Sequence, residues 1–252
     1  MGVDLHYDAP VRSVRCEGGV ARGVDLDGRA VAADVVVANA DVAHLAADLL
    51  APGQLRLRRA QASLSGWTAV VKARRVAGRA AHTVVFPEDY REEFVDMFDR
   101  DRPPRDPAVY LCAQDVAHAR AAWPDHQPVF LMANAPAGCT DVAALADAAL
   151  SRARASGLIA ADDAVLWSRT PMELAERFPG SQGSLYGAAS NDAFAAFARP
   201  HNRAPGVRGL YLASGSAHPG GGMPLCARSG LMAAELAMAD FGSAPRALGG
   251  PS

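Results

Sequence analysis

The chain has 252 residues, of which 50% are hydrophobic and 21% are charged, and its formal net charge is −2 at pH 7. This composition is typical of a globular protein and argues against an intrinsically disordered chain. The slightly acidic balance argues against nucleic acid as the main partner. The four cysteines are scattered without metal-ligand spacing, so the sequence predicts a cytoplasmic protein with reduced thiols and no metal site.

The N-terminal segment has the pattern of short β-strands. Val3, Leu5 and Tyr7 alternate with polar residues, and the turn dipeptides Gly18-Gly19 and Asp27-Gly28 separate short apolar runs. These patterns predict short β-strands from the N-terminus onwards.

A second pattern follows at residues 33–50, which read ADVVVANADVAHLAADLL. Val35–Val37 is a continuous apolar run, as in a strand that is covered on both faces. Either Asn39 or Asp41 can cap the helix that follows to Leu50. Pro52-Gly53 then ends the helix and predicts a crossing into another domain.

The central part of the chain predicts a sheet with few intervening helices. Strands are expected at residues 65–73, 82–86, 108–114, 128–134 and 165–168, and helices at 87–98, 141–156 and 171–178. Because most of these strands follow one another without a crossover helix, they favour an antiparallel or mixed sheet.

The most informative segment is GLYLASGSAHPGGGMP, Gly209 to Pro224, which runs into an amphipathic segment. It predicts a strand, a glycine-rich turn and a helix, an arrangement that directs backbone N–H groups and a helix dipole at an anionic ligand. Gly220, Gly221 and Gly222 have no Cβ, so a flat ring or a phosphate can lie against the backbone. Pro224 suits the first helical position.

This string resembles the C-terminal FAD-binding signature of the phytoene desaturase family of flavin oxidoreductases. The family pattern is G-L-Y-x-x-G-x-x-x-H-P-G-x-G-x-P with a Ser-Gly shortly after it, which is matched here by Ser229-Gly230. Residues 33–50 resemble the family's second nucleotide-domain strand and helix. Residues 186–212 carry the Arg199-Pro200 and Asn202-Arg203 pairs that precede the signature strand.

The resemblance implies FAD as the cofactor and an α/β fold: a remnant of a Rossmann-type FAD-binding domain plus a substrate domain with a mixed or antiparallel sheet and helices. The implied domains are 1–52 (FAD-binding), 53–184 (substrate-binding) and 185–252 (FAD-binding). No G-x-G-x-x-G, the motif that holds the FAD pyrophosphate, occurs in these residues. The chain is therefore expected to be the C-terminal half of a desaturase-like enzyme.

The resemblance also implies a set of cofactor-binding residues: Val11, Asn39, Ser214, Gly215, Ser216, His218, Pro219, Gly220, Gly221, Gly222, Met223, Pro224 and Leu225. No catalytic residue is implied, because the flavin carries the redox step. His218 either fixes the turn through the backbone or reaches the flavin with its side chain. Two residues depart from the family pattern: Ser214 stands where the family has glycine, and Arg228 where it usually has an apolar residue.

By resemblance, the substrate is a hydrophobic isoprenoid or carotenoid, from which a hydride passes to the flavin. Alternatives are a non-catalytic truncated remnant, half of a split flavoprotein completed by an N-terminal half on another chain, or a related saturase, isomerase or amine oxidase. A peripheral membrane contact also remains open. Tyr186, Phe194 and Phe197 either belong to the core or line the substrate.

Overall fold

The computed structural model describes residues 2–57, 61–121, 123–189 and 199–242. The chain divides into two compact units. The first comprises Met1–Gln61, Pro179–Ser181 and Tyr186–Ser252, and the second comprises Ala62–Phe178 and Gln182–Leu185. The first unit extends past the boundary expected at residue 52, because Leu55 is buried in its core.

A three-stranded antiparallel sheet begins the first unit. Strands β1 (Val11–Glu17), β2 (Val20–Leu26) and β3 (Arg29–Ala32) follow one another in sheet order. The predicted turns at Gly18-Gly19 and Asp27-Gly28 are present. Their glycines have positive φ angles, which side chains with a Cβ disfavour.

The expected strand at Val3, Leu5 and Tyr7 is wrong. Residues 2–10 form no strand, and these three side chains are 72%, 69% and 81% exposed. Alternation alone does not make a strand, because a strand also needs a partner for its backbone hydrogen bonds.

A parallel strand pair joins distant parts of the first unit. Strand β4 (Val36–Ala38) pairs with β10 (Leu210–Leu212), and Val36 lies opposite Leu210. Two segments that the resemblance places in the same domain therefore lie in one sheet. After β4, helix α1 (Val42–His44) continues as a π-helical segment, Leu45–Leu49. Asp41 caps this helix by accepting a hydrogen bond from the N–H of Ala43 at 2.8 Å.

The last element of the first unit is the 19-residue helix α6 (Met223–Phe241). Its Ala233 is fully buried in a small cluster with Tyr211 and Ala213, so the helix packs on the strand that precedes it. No described helix of the chain is both long enough and apolar enough to cross a membrane.

The second unit is built on a five-stranded antiparallel sheet with the order β6-β7-β8-β5-β9. Its strands are β5 (Ser65–Arg74), β6 (His82–Val85), β7 (Val109–Ala113), β8 (His126–Ala135) and β9 (Ala164–Arg169). All four pairings are antiparallel, so the antiparallel alternative is the correct one.

One face of this sheet packs against helix α4 (Ala143–Ala155). Val71, Leu131 and Leu145 are almost fully buried in the shared core. Burial alternates strictly along β8, as expected of a strand with one face in the core.

Three short helices complete the second unit. Helix α2 (Tyr90–Phe94) continues as a π-helical segment, Val95–Asp99, and α3 spans Gln114–Ala117. Helix α2 begins three residues after the predicted start, because Asp89 caps it. Helix α5 (Pro171–Arg177) begins with a capping box between Thr170 and Glu173, which satisfies two backbone N–H groups.

Candidate functional site

The signature segment forms the predicted strand, turn and helix. Strand β10 ends at Leu212, and α6 begins at Met223 with Gly222 as its N-cap. Pro224 is the second helical residue rather than the first, but it still lies in the first turn, where a missing N–H costs nothing. Because the N-cap is a glycine, no capping side chain competes for the helix N-terminus, and Met223 there is 88% exposed.

The three consecutive glycines have different surroundings. A Cβ on Gly221 would lie 2.7 Å from the Cα of Tyr186, and one on Gly220 would lie 3.3 Å from the Nε of Arg199. At Gly222, which has a φ of +95°, no atom of the described residues lies within 4 Å of that position. Gly220 and Gly221 therefore let the turn pack on the protein itself, and only Gly222 opens towards free space.

The loop after β4 joins this turn. Asn39 donates from Nδ2 to the carbonyl oxygen of Ala213 at 2.5 Å, and Ser216 Oγ accepts from the N–H of Val42 at 2.9 Å. The hydroxyls of Ser214 and Ser216 lie 3.0 Å apart. The carboxyl ends of two parallel strands thus meet at one edge, the position where open α/β sheets bind ligands.

Asn202 ties this turn to both neighbouring elements. Its side chain is fully buried, and its Nδ2 donates to the carbonyl oxygens of Leu212 and His218 at 2.8 and 2.9 Å, and to Ser229 Oγ at 2.9 Å. One amide therefore joins the end of β10, the turn and α6. Its Oδ1 is buried without a partner among the described residues.

Arg199 supports the turn from the other side. Its guanidinium donates to the carbonyl oxygens of Tyr186, Gly215 and Ala188 at 3.0, 3.0 and 2.8 Å. Burial lowers the pKa of this guanidinium from its usual value. Tyr186 is 47% exposed, so it does not belong to the core, whereas Phe194 and Phe197 lie outside the described residues.

The remaining predicted site residues lie in different environments. His218 donates its backbone N–H to the carbonyl oxygen of Pro200 at 2.8 Å, and it precedes a cis peptide bond to Pro219. Leu225 is 44% exposed beside Met223 at the start of α6. Val11 lies elsewhere, at the start of the edge strand β1, where it pairs with Leu26.

An ion-pair cluster anchors the opposite end of α6. Asp240 accepts two hydrogen bonds from Arg203, each 2.8 Å, and one from the hydroxyl of Tyr211 at 2.7 Å. These partners lower the pKa of Asp240 to about 2, and burial with the Asp240 hydrogen bond raises the pKa of Tyr211 to about 12. The cluster holds β10 against the helix, away from the turn.

From the sequence, Arg199 and Asn202 are recognised only as parts of a motif, and no role follows for them. Their positions could have indicated a structural role, because an arginine and an asparagine shortly before an apolar strand are candidates for buried polar partners. Their acceptors, however, are carbonyl groups distributed over the segments around residues 186–188 and 212–229, which only the fold brings together.

The site fits a flat group that carries negative charge. The open Gly222 leaves room for close approach to the backbone, and the helix N-terminus supplies a partial positive charge. Among the described residues, no cluster of three histidine, cysteine or carboxylate side chains could hold a metal ion.

The chain is similar in sequence to known desaturases. The chain is 37% identical to a hydroxyneurosporene desaturase of Cereibacter sphaeroides over 97% of its own length and 51% of the relative's. It is 30% identical to a zeta-carotene-forming phytoene desaturase of Myxococcus xanthus, over 94% of its length and 48% of the relative's. The chain thus spans about half the length of these relatives.

A solved oxidoreductase from Methanosarcina mazei has the same fold over 90% of this chain and 48% of its own, with a TM-score of 0.58 at 15% identity. The model of the family described as flavin-containing amine oxidoreductase matches residues 1–238. The predicted resemblance and the flavin cofactor are confirmed at the level of the family. The chain belongs to the flavin-containing amine oxidoreductases.

Proposed function

We propose that this chain supplies the flavin-facing turn and the substrate domain of an FAD-dependent oxidoreductase that desaturates an isoprenoid or carotenoid. The observation that carries the proposal is the junction at Gly222, where the carboxyl ends of β4 and β10 meet an open helix N-terminus. The names of the similar carotenoid desaturases support the substrate class.

When bound, FAD would accept a hydride from one carbon of the substrate, and the adjacent carbon would release a proton to water, which leaves a double bond. The role of this chain is to stabilise negative charge at the edge of the flavin ring. The dipole at the start of α6 contributes about 0.3–2 kcal/mol to that stabilisation. Asn202 and Arg199 fix the carbonyl groups around the turn, so that the turn keeps its geometry when the charge changes.

The parallel pair β4–β10 supports a place in a larger Rossmann-type sheet. Parallel sheets are covered on both faces and usually contain several strands, whereas Val37 of this two-stranded pair is 52% exposed. We assign the first unit to the FAD-binding domain and the five-stranded unit to the substrate domain. Further parallel strands then belong to a segment outside these 252 residues.

That segment also has to supply the pyrophosphate site, because no G-x-G-x-x-G occurs in this sequence. We propose that the chain alone binds FAD weakly or not at all, and that an N-terminal half, in the same reading frame or on another chain, completes the site. A truncated remnant without activity is the competing proposal.

Flavin release tests whether the chain alone binds FAD. The chain is purified alone, denatured and assayed for FAD by fluorescence. We expect far less than one FAD per chain, and stoichiometric FAD would contradict the proposal that a second segment is required.

Reconstitution tests the site itself. The chain is co-expressed with the N-terminal half of the Cereibacter sphaeroides relative, and FAD affinity is measured with Gly222→Val and, as matched control, Gly28→Val. Both glycines have a positive φ and open space in the Cβ direction among the described residues, but Gly28 lies in the turn between β2 and β3. Crowding at the ring costs about 1–3 kcal/mol, or roughly 5- to 150-fold in affinity.

Three outcomes of this experiment decide the proposal. A selective loss at Gly222 supports the assigned turn. Equal affinity in both variants shows that the turn is structural. A reconstituted pair that binds no FAD favours the remnant.

A further inference from the structure

The helix at residues 90–99 in the second unit buries two acids. Its buried residues are Glu93, Asp96 and Met97, of which the two carboxylates are 1% and 4% exposed. Of its aromatic side chains, Tyr90 is 42% exposed, and Phe94 and Phe98 are half-buried. Buried acids are unusual on a surface helix, which normally turns its charges to water.

Hydrogen bonds to the buried carboxylates explain this orientation. Glu93 accepts from the N–H of Ala108 at 2.8 Å and from Nδ2 of Asn134 at 2.9 Å. Asp96 accepts from the guanidinium groups of Arg100 and Arg102, each at 2.7 Å. The helix is therefore held in its orientation by hydrogen bonds to these two acids.

Four rings of this segment form a continuous row, here called the aromatic ladder: Phe86, Tyr90, Phe94 and Phe98. Successive ring centroids are 5.0, 5.0 and 6.4 Å apart, within the range of attractive aromatic pairs. Phe86, at the open end, is 56% exposed. The ladder thus presents two exposed rings, Phe86 and Tyr90, that are ordered by the two half-buried rings behind them.

The segment that carries the ladder is acidic, and its exposed charged side chains are here called the rim. Exposed carboxylates at residues 86–101 outnumber exposed guanidinium groups by five to two: Glu88, Asp89, Glu92, Asp99 and Asp101 against Arg91 and Arg100. Arg100 is already bonded to Glu92 and Asp96. This excess of negative charge repels the anionic surface of a lipid bilayer and attracts a cationic partner.

We propose that the aromatic ladder is a docking surface for another polypeptide, an amphipathic segment whose apolar stripe is flanked by lysine or arginine. The rings would form the apolar centre of the interface, and the carboxylates would form its polar rim, as in protein–protein interfaces generally. This surface lies in the second unit and does not depend on flavin binding.

The probe is a fluorescent helical peptide of leucine and lysine, about 14 residues or four turns long, compared with a leucine–glutamate peptide of the same pattern. Binding is followed by fluorescence anisotropy with the whole chain. We expect the leucine–lysine peptide to bind at least about tenfold more tightly than the leucine–glutamate peptide.

Two pairs of variants locate the binding. Phe86→Ser with Tyr90→Ser removes the exposed end of the ladder and should weaken binding at least about tenfold. The matched control, Leu166→Ser with Glu176→Lys, removes an exposed apolar side chain and an exposed acid from β9 and α5 of the same unit and should leave binding unchanged. Thermal unfolding confirms that each variant is folded.

Reversal of the rim charge sharpens the test. Glu88→Lys with Asp99→Lys should reduce or invert the preference for the lysine peptide, while the ladder stays intact. Equal binding by the ladder variant, or equal binding of both peptides, overturns the proposal. So does ladder-dependent binding to phosphatidylcholine vesicles without peptide binding, or a ladder-dependent dimer in sedimentation, because these outcomes identify lipid or a second copy as the occupant.

Discussion

The two units differ in what fixes their geometry. In the second unit, apolar side chains on one face of a five-stranded sheet pack against α4, and the pattern of burial follows the strands. In the first unit, the turn between β10 and α6 is fixed by two polar side chains, the half-buried Arg199 and the buried Asn202, whose partners are backbone carbonyls. Apolar packing tolerates substitutions of similar volume, whereas carbonyl-directed hydrogen bonds tolerate few replacements. The first unit therefore depends on particular residues at its site, and the second on its general apolar pattern.

The largest effect is expected in the core of the second unit. Leu131 is fully buried at the centre of β8, and Leu131→Ala should lower the free energy of unfolding by about 2–5 kcal/mol, because it removes apolar contacts and leaves a cavity. Urea denaturation measures the change. Leu166→Ala, at a 52% exposed position of β9, should change stability by no more than about 0.5 kcal/mol. Similar losses at both positions would remove the contrast between buried and exposed faces.

Asn202→Ala should show how strongly the first unit depends on one amide. The variant leaves the buried carbonyls of Leu212 and His218 without this donor, which costs about 1–3 kcal/mol. Asn39→Ala is the matched control, because Asn39 is an exposed amide with one bond to the same turn. Its loss should cost at most about 1 kcal/mol. Differential scanning calorimetry of both variants would refute the assigned role of Asn202 if their melting temperatures were equal.

The glycine triplet gives a finer test of the turn. Gly221→Ala should destabilise by about 1–3 kcal/mol, because the new methyl would overlap the Cα of Tyr186. Gly222→Ala meets no neighbour but imposes a positive φ on alanine, which costs about 1–2 kcal/mol. Hydrogen exchange around residues 186–188 should rise in the first variant only. An increase in both would show that Gly222 also packs on the protein.

Two carboxyl groups, one in each unit, should change stability with pH in opposite directions. Burial raises the pKa of Glu93 in the second unit above its usual value of 4.5, so its proton is held more tightly in the folded state. Relative to Glu93→Gln, the parent should lose stability as the pH rises through that raised pKa.

In the first unit, hydrogen bonds from Arg203 and Tyr211 lower the pKa of Asp240 from 3.8 to about 2. Relative to Asp240→Asn, the parent should keep its advantage above pH 3.8 and lose it as the pH falls towards 2. Melting temperatures of both pairs across the acidic range measure the two slopes, and equal signs would contradict the assigned environments.

The smallest effects are expected at the two departures from the family pattern. Arg228 is exposed on α6, so Arg228→Leu should change stability by no more than about 0.5 kcal/mol. Ser214→Gly removes a hydroxyl 3.0 Å from that of Ser216, and the loss should be about 0.5–1.5 kcal/mol at most. In the reconstituted protein, Ser214→Gly should leave FAD affinity equal or improved. A clear loss of affinity would show that the serine takes part in the site.

The amino-acid sequence by itself determined the order of most elements. The strand, glycine-rich turn and helix at residues 210–241 and the five strands of the second unit follow from local patterns, because apolar periodicity and turn residues act over a few positions. The failure at Val3, Leu5 and Tyr7 shows the limit of such patterns, since alternation does not reveal whether a pairing strand exists.

Only the tertiary structure decided which residues act together. It showed that the space at the Cβ position of Gly222 is open among the described residues, whereas Arg199 and Tyr186 occupy the corresponding space at Gly220 and Gly221. It also showed that Val11 lies on β1, apart from the turn, and that α2 buries Glu93 while Tyr90 is exposed. These outcomes depend on hydrogen-bond partners far away in the sequence, such as Asn134 for Glu93 and Leu212 for Asn202. Local propensity carries no information about such partners, because they become neighbours only when the chain has folded.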